Sequence, residues 1–445
     1  MGEAPSLAVM AQPHGRSTAT SFAVVTALFF MWGFITVLVD SLVPRLREVF
    51  TLSFFQAGLL QFAFFIAYGL VSIPAGQLLA RIGYRKGMVL GLITMGAGCL
   101  LYWPAAGLRL LPVFMLGTFV LAAGMTVLQV AANPYVAVLG EERGASSRLN
   151  LAQAFNSVGT TLAPVVGARL ILSDRIRDEA EIAAMDETAR ETYFAAEASA
   201  VQGPFVWLAG SLLMLAVIVR LAKLPSLLGG GASRRHREAL DRPRLLLGAV
   251  GIFLYVGAEV AIGSYLVNYF LSMGMAEAVL AHPFMARIAA LFHGGELEGV
   301  DAKGVVGGFV ALYWGGAMVG RFAGSYLTHR FPPGRVLGIF AMAVFALIAT
   351  SMLTTGFPAM FSILAVGLFN SIMFPTIFSL AIEGLGDLKP QASGILCTAI
   401  AGGAFVPPML GWLADGFGFK AAFVLLLCCY GYILFYATRT SSAHT

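Results

Sequence analysis

An all-α membrane protein of twelve transmembrane helices in two six-helix halves is what this sequence predicts, on three observations. The 445-residue chain is 58% hydrophobic and only 11% charged, with a mean hydropathy of +0.83. Its apolar residues fall in repeated runs of about 20, the length that crosses the hydrocarbon core of a bilayer. Runs of this length lack the alternation of barrel strands, which leaves helices as the spanning elements.

Taken in order, the runs and their breakers give spans at 21–44, 56–80, 87–105, 111–139, 149–172, 204–223, 245–271, 304–329, 335–355, 357–383, 391–414 and 419–438. Residues 1–20 are polar, without an apolar stretch and cleavage site, and form a tail with no cleaved signal peptide; 439–445 form a second tail. An even number of spans puts both tails on one side. Arg81, Arg85, Lys86, Arg143, Arg148, Arg330, Arg335 and the basic run from Lys223 to Arg244 share that side and mark it as cytoplasmic, against Arg45, Arg47 and Arg109. The expected place is a bacterial inner membrane, with the bilayer as solvent.

Two connections are long. Residues 224–244, with GGGAS and then a basic run, form a cytoplasmic linker between an N-terminal half, 21–223, and a C-terminal half, 245–438. Positive-inside retention accounts for its charge without a nucleic-acid partner. The outer segment from Ser173 to Gly203 is acidic and predicts a short surface helix. An internal repeat supports the division: Gly159, Pro164 and Gly167 recur at one offset as Gly403, Pro408 and Gly411, Gln129 and Pro134 recur as Asn370 and Pro375, and GQLLARIGYRKG (76–87) has a degraded counterpart at 324–335. Halves related about the membrane normal place a substrate site between them at mid-depth.

Two carboxylates, Asp40 and Glu259, lie in apolar runs. A carboxylate there costs about 2.5–3.5 kcal/mol on insertion scales and is ordinarily kept for a polar pathway or proton relay. Gln129 and Asn133 share one face of the fourth span; Gln153, Asn156 and Thr160 share one of the fifth; Gln61, Phe65 and Tyr68 share one of the second. Amides and hydroxyls suit sugar hydroxyls, and Trp32, Tyr68, Tyr135, Tyr265 and Trp314 offer aromatic faces for the C–H faces of a pyranose. The competing reading is that the amides bridge helices, where such bonds average about 0.6 kcal/mol. The converging set with two carboxylates favours a site, and Asn156 and Asn370 are expected to face each other across the halves.

Pro134 and Pro375 each remove a helical hydrogen bond and predict kinks in the fourth and tenth spans. Arg81, Arg85 and Lys86 follow the second span, and cations against negative helix ends predict a gating clasp. Cys99, Cys397, Cys428 and Cys429 lie in apolar runs without ligand spacing, so no metal, cofactor or disulfide is expected. No phosphate-binding glycine-lysine loop is present, and no nucleophile, base and orienting group converge on one helix face. A transporter is indicated over an enzyme; an exporter with a Met- and Phe-lined cavity and a membrane sugar sensor are weaker alternatives.

FTLSFFQAGLLQFAFF (50–65), AANPYVAVLG (131–140), RLNLAQAFNSVG (148–159), NSIMFPTIFSLAIEGLG (370–386) and GGAFVPPMLGWLAD (402–415) together resemble the major facilitator superfamily, and within it the fucose:proton symporter family with its glucose/galactose transporters. The resemblance runs from Phe22 to Tyr436. It implies a monomeric secondary transporter that rocks its halves around a hexose site. Asp40 matches the carboxylate that fucose permeases use for proton coupling and sugar recognition. Three positions depart: Ala80 replaces an aspartate of the loop between helices 2 and 3, Gln129 replaces a glutamate, and Glu259 replaces a neutral amide. An amide does not titrate, so coupling falls to Asp40 alone or with Glu259, and a sodium-coupled or an uncoupled sugar carrier stays open. One proton moving down 100 mV supplies about 2.3 kcal/mol, roughly 40–50-fold accumulation. Glucose, galactose, fucose and N-acetylglucosamine differ by single groups that the same amides read.

Overall fold

The computed structural model describes the backbone of residues 15–49, 54–108, 110–170, 184–225 and 236–441, and their side chains except at 15–17, 39–49, 54–61, 165–170, 194, 197–201, 236–237 and 441. Among the described residues every regular element is a helix. The N-terminal half is α1 (Gly15–Val49), α2 (Phe54–Ile82), α3 (Tyr84–Leu108), α4 (Leu111–Val138), α5 (Ala145–Leu170) and α6 (Glu187–Leu221). A short α7 (His236–Leu240) leads into α8 (Pro243–Ser272), α9 (Met275–Ala281), α10 (Pro283–His293), α11 (Ala302–Gly307) and α12 (Val310–Arg330). The chain ends with α13 (Pro333–Leu353), α14 (Gly356–Asn370), α15 (Met373–Ile382), α16 (Lys389–Thr398), α17 (Gly402–Phe417) and α18 (Phe419–Ser441).

Among the described residues eleven spans are long and apolar enough to cross a membrane, counting α11 with α12, α14 with α15 and α16 with α17 as single spans. Outside that count, α5 is diluted by Gln153, Asn156, Ser157, Thr160 and Thr161 and packs along α1 and α12. Glycine sets how closely the helices approach. At Gly91, a Cβ would lie 2.7 Å from the backbone nitrogen of Leu128 on α4, so α3 and α4 touch backbone to backbone. Gly83, at φ 81°, makes the tight turn from α2 to α3 that an L side chain resists.

Two connections differ from the sequence reading. The described part of the acidic outer segment is no separate surface helix: Asp186 accepts from the backbone N–H of Ala189, and the helix it caps runs unbroken from Glu187 to Leu221 as the sixth span. The stretch between α8 and α12, which falls between two predicted spans, folds into α9, α10 and α11. Met275, Val279, Met285 and Ala289 give it a buried face, Gly274 and Gly294 turn the chain at positive φ, and α9 and α10 bend by 110° at His282, whose ring lies edge-on to Phe357.

The halves meet along α2 with α16 and α5 with α12, two contacts exchanged by the internal repeat. On the side of the connections after the even-numbered spans the seam is tight. A Cβ on Gly76 would lie 2.7 Å from the carbonyl oxygen of Pro390, and one on Gly394 2.7 Å from that of Ser72. Hydroxyls close the remainder: Ser146 Oγ lies 2.6 Å from Ser379 Oγ, Ser325 Oγ donates to the Ser147 carbonyl at 3.0 Å, and Asn150 Nδ2 donates to Thr376 Oγ1 at 3.1 Å. At the rim, Glu142 Oε1 accepts from Gly384 N–H at 3.1 Å and pairs with Lys389 Nζ at 3.5 Å.

Candidate functional site

Near the middle of α8 and α12, a carboxylate and a guanidinium stand together. Arg321 Nη2 lies 3.7 Å from Glu259 Oε1, with the two side chains only 14% and 13% exposed. The arginine also reaches the other half: its Nη1 donates to Ser157 Oγ on α5. Its Nε donates to the carbonyl of Ser371 at 3.2 Å. That carbonyl is open because Pro375, four residues on, has no N–H to return to it, and the α14–α15 break falls there, at Ser371 and Ile372. One proline thus prepares the acceptor that fixes the arginine.

Around Glu259 the C-terminal half keeps a buried polar core. Tyr313 Oη donates to the Glu259 carbonyl at 3.3 Å and accepts from Asn370 Nδ2 at 2.8 Å, and the same nitrogen lies 3.4 Å from Tyr430 Oη. Tyr255 Oη faces the Glu259 carboxylate, and Asn370 Oδ1 is buried without a hydrogen-bond partner. An unpaired buried polar atom is rare because it costs about 1–3 kcal/mol, which makes Asn370 Oδ1 a candidate contact for a polar ligand.

The N-terminal half contributes amides. Gln129 Nε2 donates to Tyr68 Oη at 2.5 Å, which joins the stripes on α4 and α2. Asn133, one turn on, is fully buried with both amide atoms unpaired. Gln153 lies one turn before Ser157 on α5, its carbonyl accepting from that hydroxyl and its amide making no hydrogen bond among the described residues. The arrangement offers a titratable carboxyl, a fixed cation and several amides on helices from both halves.

The profile of the Major Facilitator Superfamily matches residues 20–401. The chain belongs to the Major Facilitator Superfamily. It is therefore a multi-pass membrane transporter rather than an enzyme. The chain is 48% identical over 415 residues to the glucose/galactose transporter of Brucella abortus, across 93% of this chain and 92% of that one. It is 34% identical over 452 residues to the L-fucose-proton symporter of Escherichia coli, across 97% and 95%. The crystal structure of the Major Facilitator Superfamily transporter FucP in the outward conformation superposes with a TM-score of 0.85 at 32% identity, covering 96% of this chain and 99% of that one.

Not every position singled out in this Major Facilitator Superfamily chain lies where the sequence suggests. Asp40 lies on α1 and Gln61 on α2, with side chains outside the described ones. Asn156 turns its Nδ2 to the carbonyl of Phe29 at 2.9 Å, bridging α5 to α1, while Asn370 is held by tyrosines of its own half; the two do not face each other. Tyr135 is no cavity aromatic, because its hydroxyl reaches the Pro225 carbonyl at 3.4 Å and its ring meets Tyr84. Arg81, Arg85 and Lys86 are exposed and form no ion pair among the described residues; the ionic contact between the halves is Glu142 with Lys389. Pro134 leaves α4 unbroken, and the carbonyl it frees, that of Val130, accepts from Ser393 Oγ of the other half at 2.8 Å. Arg321, Ser157, Tyr255, Tyr313 and Tyr430 were not foreseen. A lone arginine inside the predicted span 304–329 carries the same signal of rarity as Glu259.

Proposed function

We propose that this transporter takes up a hexose together with a proton by alternating access, with Glu259 as a titrating carboxylate and Arg321 as its fixed partner. The observation that carries the reading is the Arg321 side chain, which touches Glu259 of its own half and Ser157 of the other at mid-membrane. Protonation of Glu259 leaves the guanidinium without its counter-charge, and an uncompensated buried charge is costly, so the contact at Ser157 is remade whenever the proton arrives or leaves. Tyr68, Gln129, Asn133, Gln153 and Asn370 are the polar contacts offered to sugar hydroxyls, and Asp40 on α1 is the second carboxylate. The names of the relatives, a glucose/galactose transporter and an L-fucose-proton symporter, support both the hexose and the proton. The distribution of basic residues supports a cytoplasmic side for the tight seam and the chain termini, and with it an outward-facing state; the carrier is read as a monomer in a bacterial inner membrane. Counterflow and pH-dye measurements in proteoliposomes test the reading with glucose, galactose, fucose and N-acetylglucosamine. Sugar-driven proton uptake is expected, and Asp40→Asn is expected to abolish accumulation while sugar exchange persists. Sugar uptake without proton movement would overturn the coupling; no counterflow with any hexose would overturn the substrate class.

A further inference from the structure

At the edge of the C-terminal half, α13 and α18 lie side by side and leave a groove of ≈ 740 Å³ on their outward face. Met342 and Ala346 on α13 and Leu434 on α18 form its walls. Gly338 opens its floor: a Cβ there would meet only the Cβ of Ala437, at 3.6 Å, so the helices touch beneath an empty slot. Met342 is 59% exposed, and on a membrane-spanning helix that exposure is to acyl chains. One end of the slot is cationic. Arg335, in the first turn of α13, lines it, is exposed and forms no ion pair or hydrogen bond through its side chain among the described residues. His329 and Arg330 end α12 just before it, Arg439 lies in the last turn of α18, and neither α13 nor α18 carries an Asp or Glu. The positive N-terminal end of the α13 dipole points the same way.

We propose that this groove holds an anionic phospholipid, with its phosphate on Arg335 and one acyl chain along Gly338, Met342 and Ala346. Charge selects the occupant: an unpaired guanidinium at the mouth of an apolar slot satisfies a phosphodiester and an acyl chain at once, whereas a second protein helix would leave the arginine unmatched. The site uses none of the residues assigned to transport and stands whether or not the sugar reading does.

Native mass spectrometry of the purified full-length protein, with phosphatidylglycerol and phosphatidylcholine as competing probes, tests it. The wild type is expected to retain one phosphatidylglycerol in preference to phosphatidylcholine, and inorganic phosphate alone is expected to give no adduct. Arg335→Gln should lower phosphatidylglycerol retention about five-fold, the effect of one basic residue on an anionic lipid, and lower phosphatidylcholine retention less, because choline offsets its phosphate charge. Gly338→Phe fills the floor and should remove both. Equal retention of the two lipids by the wild type, or undiminished preference in Arg335→Gln, would overturn the proposal; should Gly338→Phe fail to insert, Arg335→Gln still decides.

Discussion

At the scale of single residues, the decisive arrangement is one arginine with three partners. Removing Arg321 leaves Glu259 buried and unpaired, and breaking a buried pair from one side costs about 3–5 kcal/mol. We expect Arg321→Gln and Glu259→Gln each to lower the yield of folded protein and to lose uphill accumulation, and the double variant to recover the yield without recovering accumulation. Fluorescence-detected size exclusion with counterflow reads all three, and a double variant no better folded than Arg321→Gln would show that the two charges are not coupled. Gln129→Glu places a titratable group against the Tyr68 hydroxyl, and the pH profile of transport should move; an unchanged profile in a folded variant would separate Gln129 from the proton path. Asn156→Ala is expected to reduce thermal stability by about 1 kcal/mol and leave sugar affinity near wild type, because the lost bond is the one to Phe29. Sequence periodicity places a residue on a helix face but not the rotamer it adopts. Gln129 and Tyr68 could therefore be brought together from their stripes, while the turn of Asn156 towards Phe29 depends on the close passage of α1 at Gly33, which no spacing within α5 encodes.

At the scale of elements, the spans were legible because the bilayer fixes their length and demands internal backbone bonding, so long apolar runs leave little choice of structure. The folded connection between α8 and α12 was not, since its elements are short and its apolar stretch is broken at His282 and Pro283, where α9 and α10 bend by 110°. Proline positions were legible as interruptions, but not in their outcome. Pro134 and Pro375 both free a carbonyl; the first finds a serine across the seam and the second an arginine, and only the latter stands at a break in its helix. The glycine contacts predict a wedge. Gly394→Val brings methyl groups against the Ser72 carbonyl and the Gly76 backbone, and should shift the carrier towards the inward-open state without unfolding either half. Cysteine labelling from each side of the membrane checks this: accessibility unchanged on the seam side would mean that the seam yields by local repacking.

At the scale of the whole molecule, the halves are held shut by neutral polar side chains and glycine backbone, and the one ion pair across the seam among the described residues, Glu142 with Lys389, lies at the rim with Glu142 54% exposed. An exposed pair contributes about 0.2–1 kcal/mol, so Glu142→Gln should speed opening by no more than several-fold, as timed by stopped-flow fluorescence. A larger effect would mean that the bond from Gly384 carries more of the closure than the lysine does. The composition of the seam also has an electrical consequence. Among the described residues, parting it separates no ion pair within the bilayer field, so the membrane potential, which does about 2.3 kcal/mol of work per elementary charge per 100 mV, has no grip on these contacts. It acts only through whatever charge the titrating interior carries at that moment. The voltage dependence of this carrier is thus set by the protonation of its centre, while the hinge beneath it moves in electrical silence.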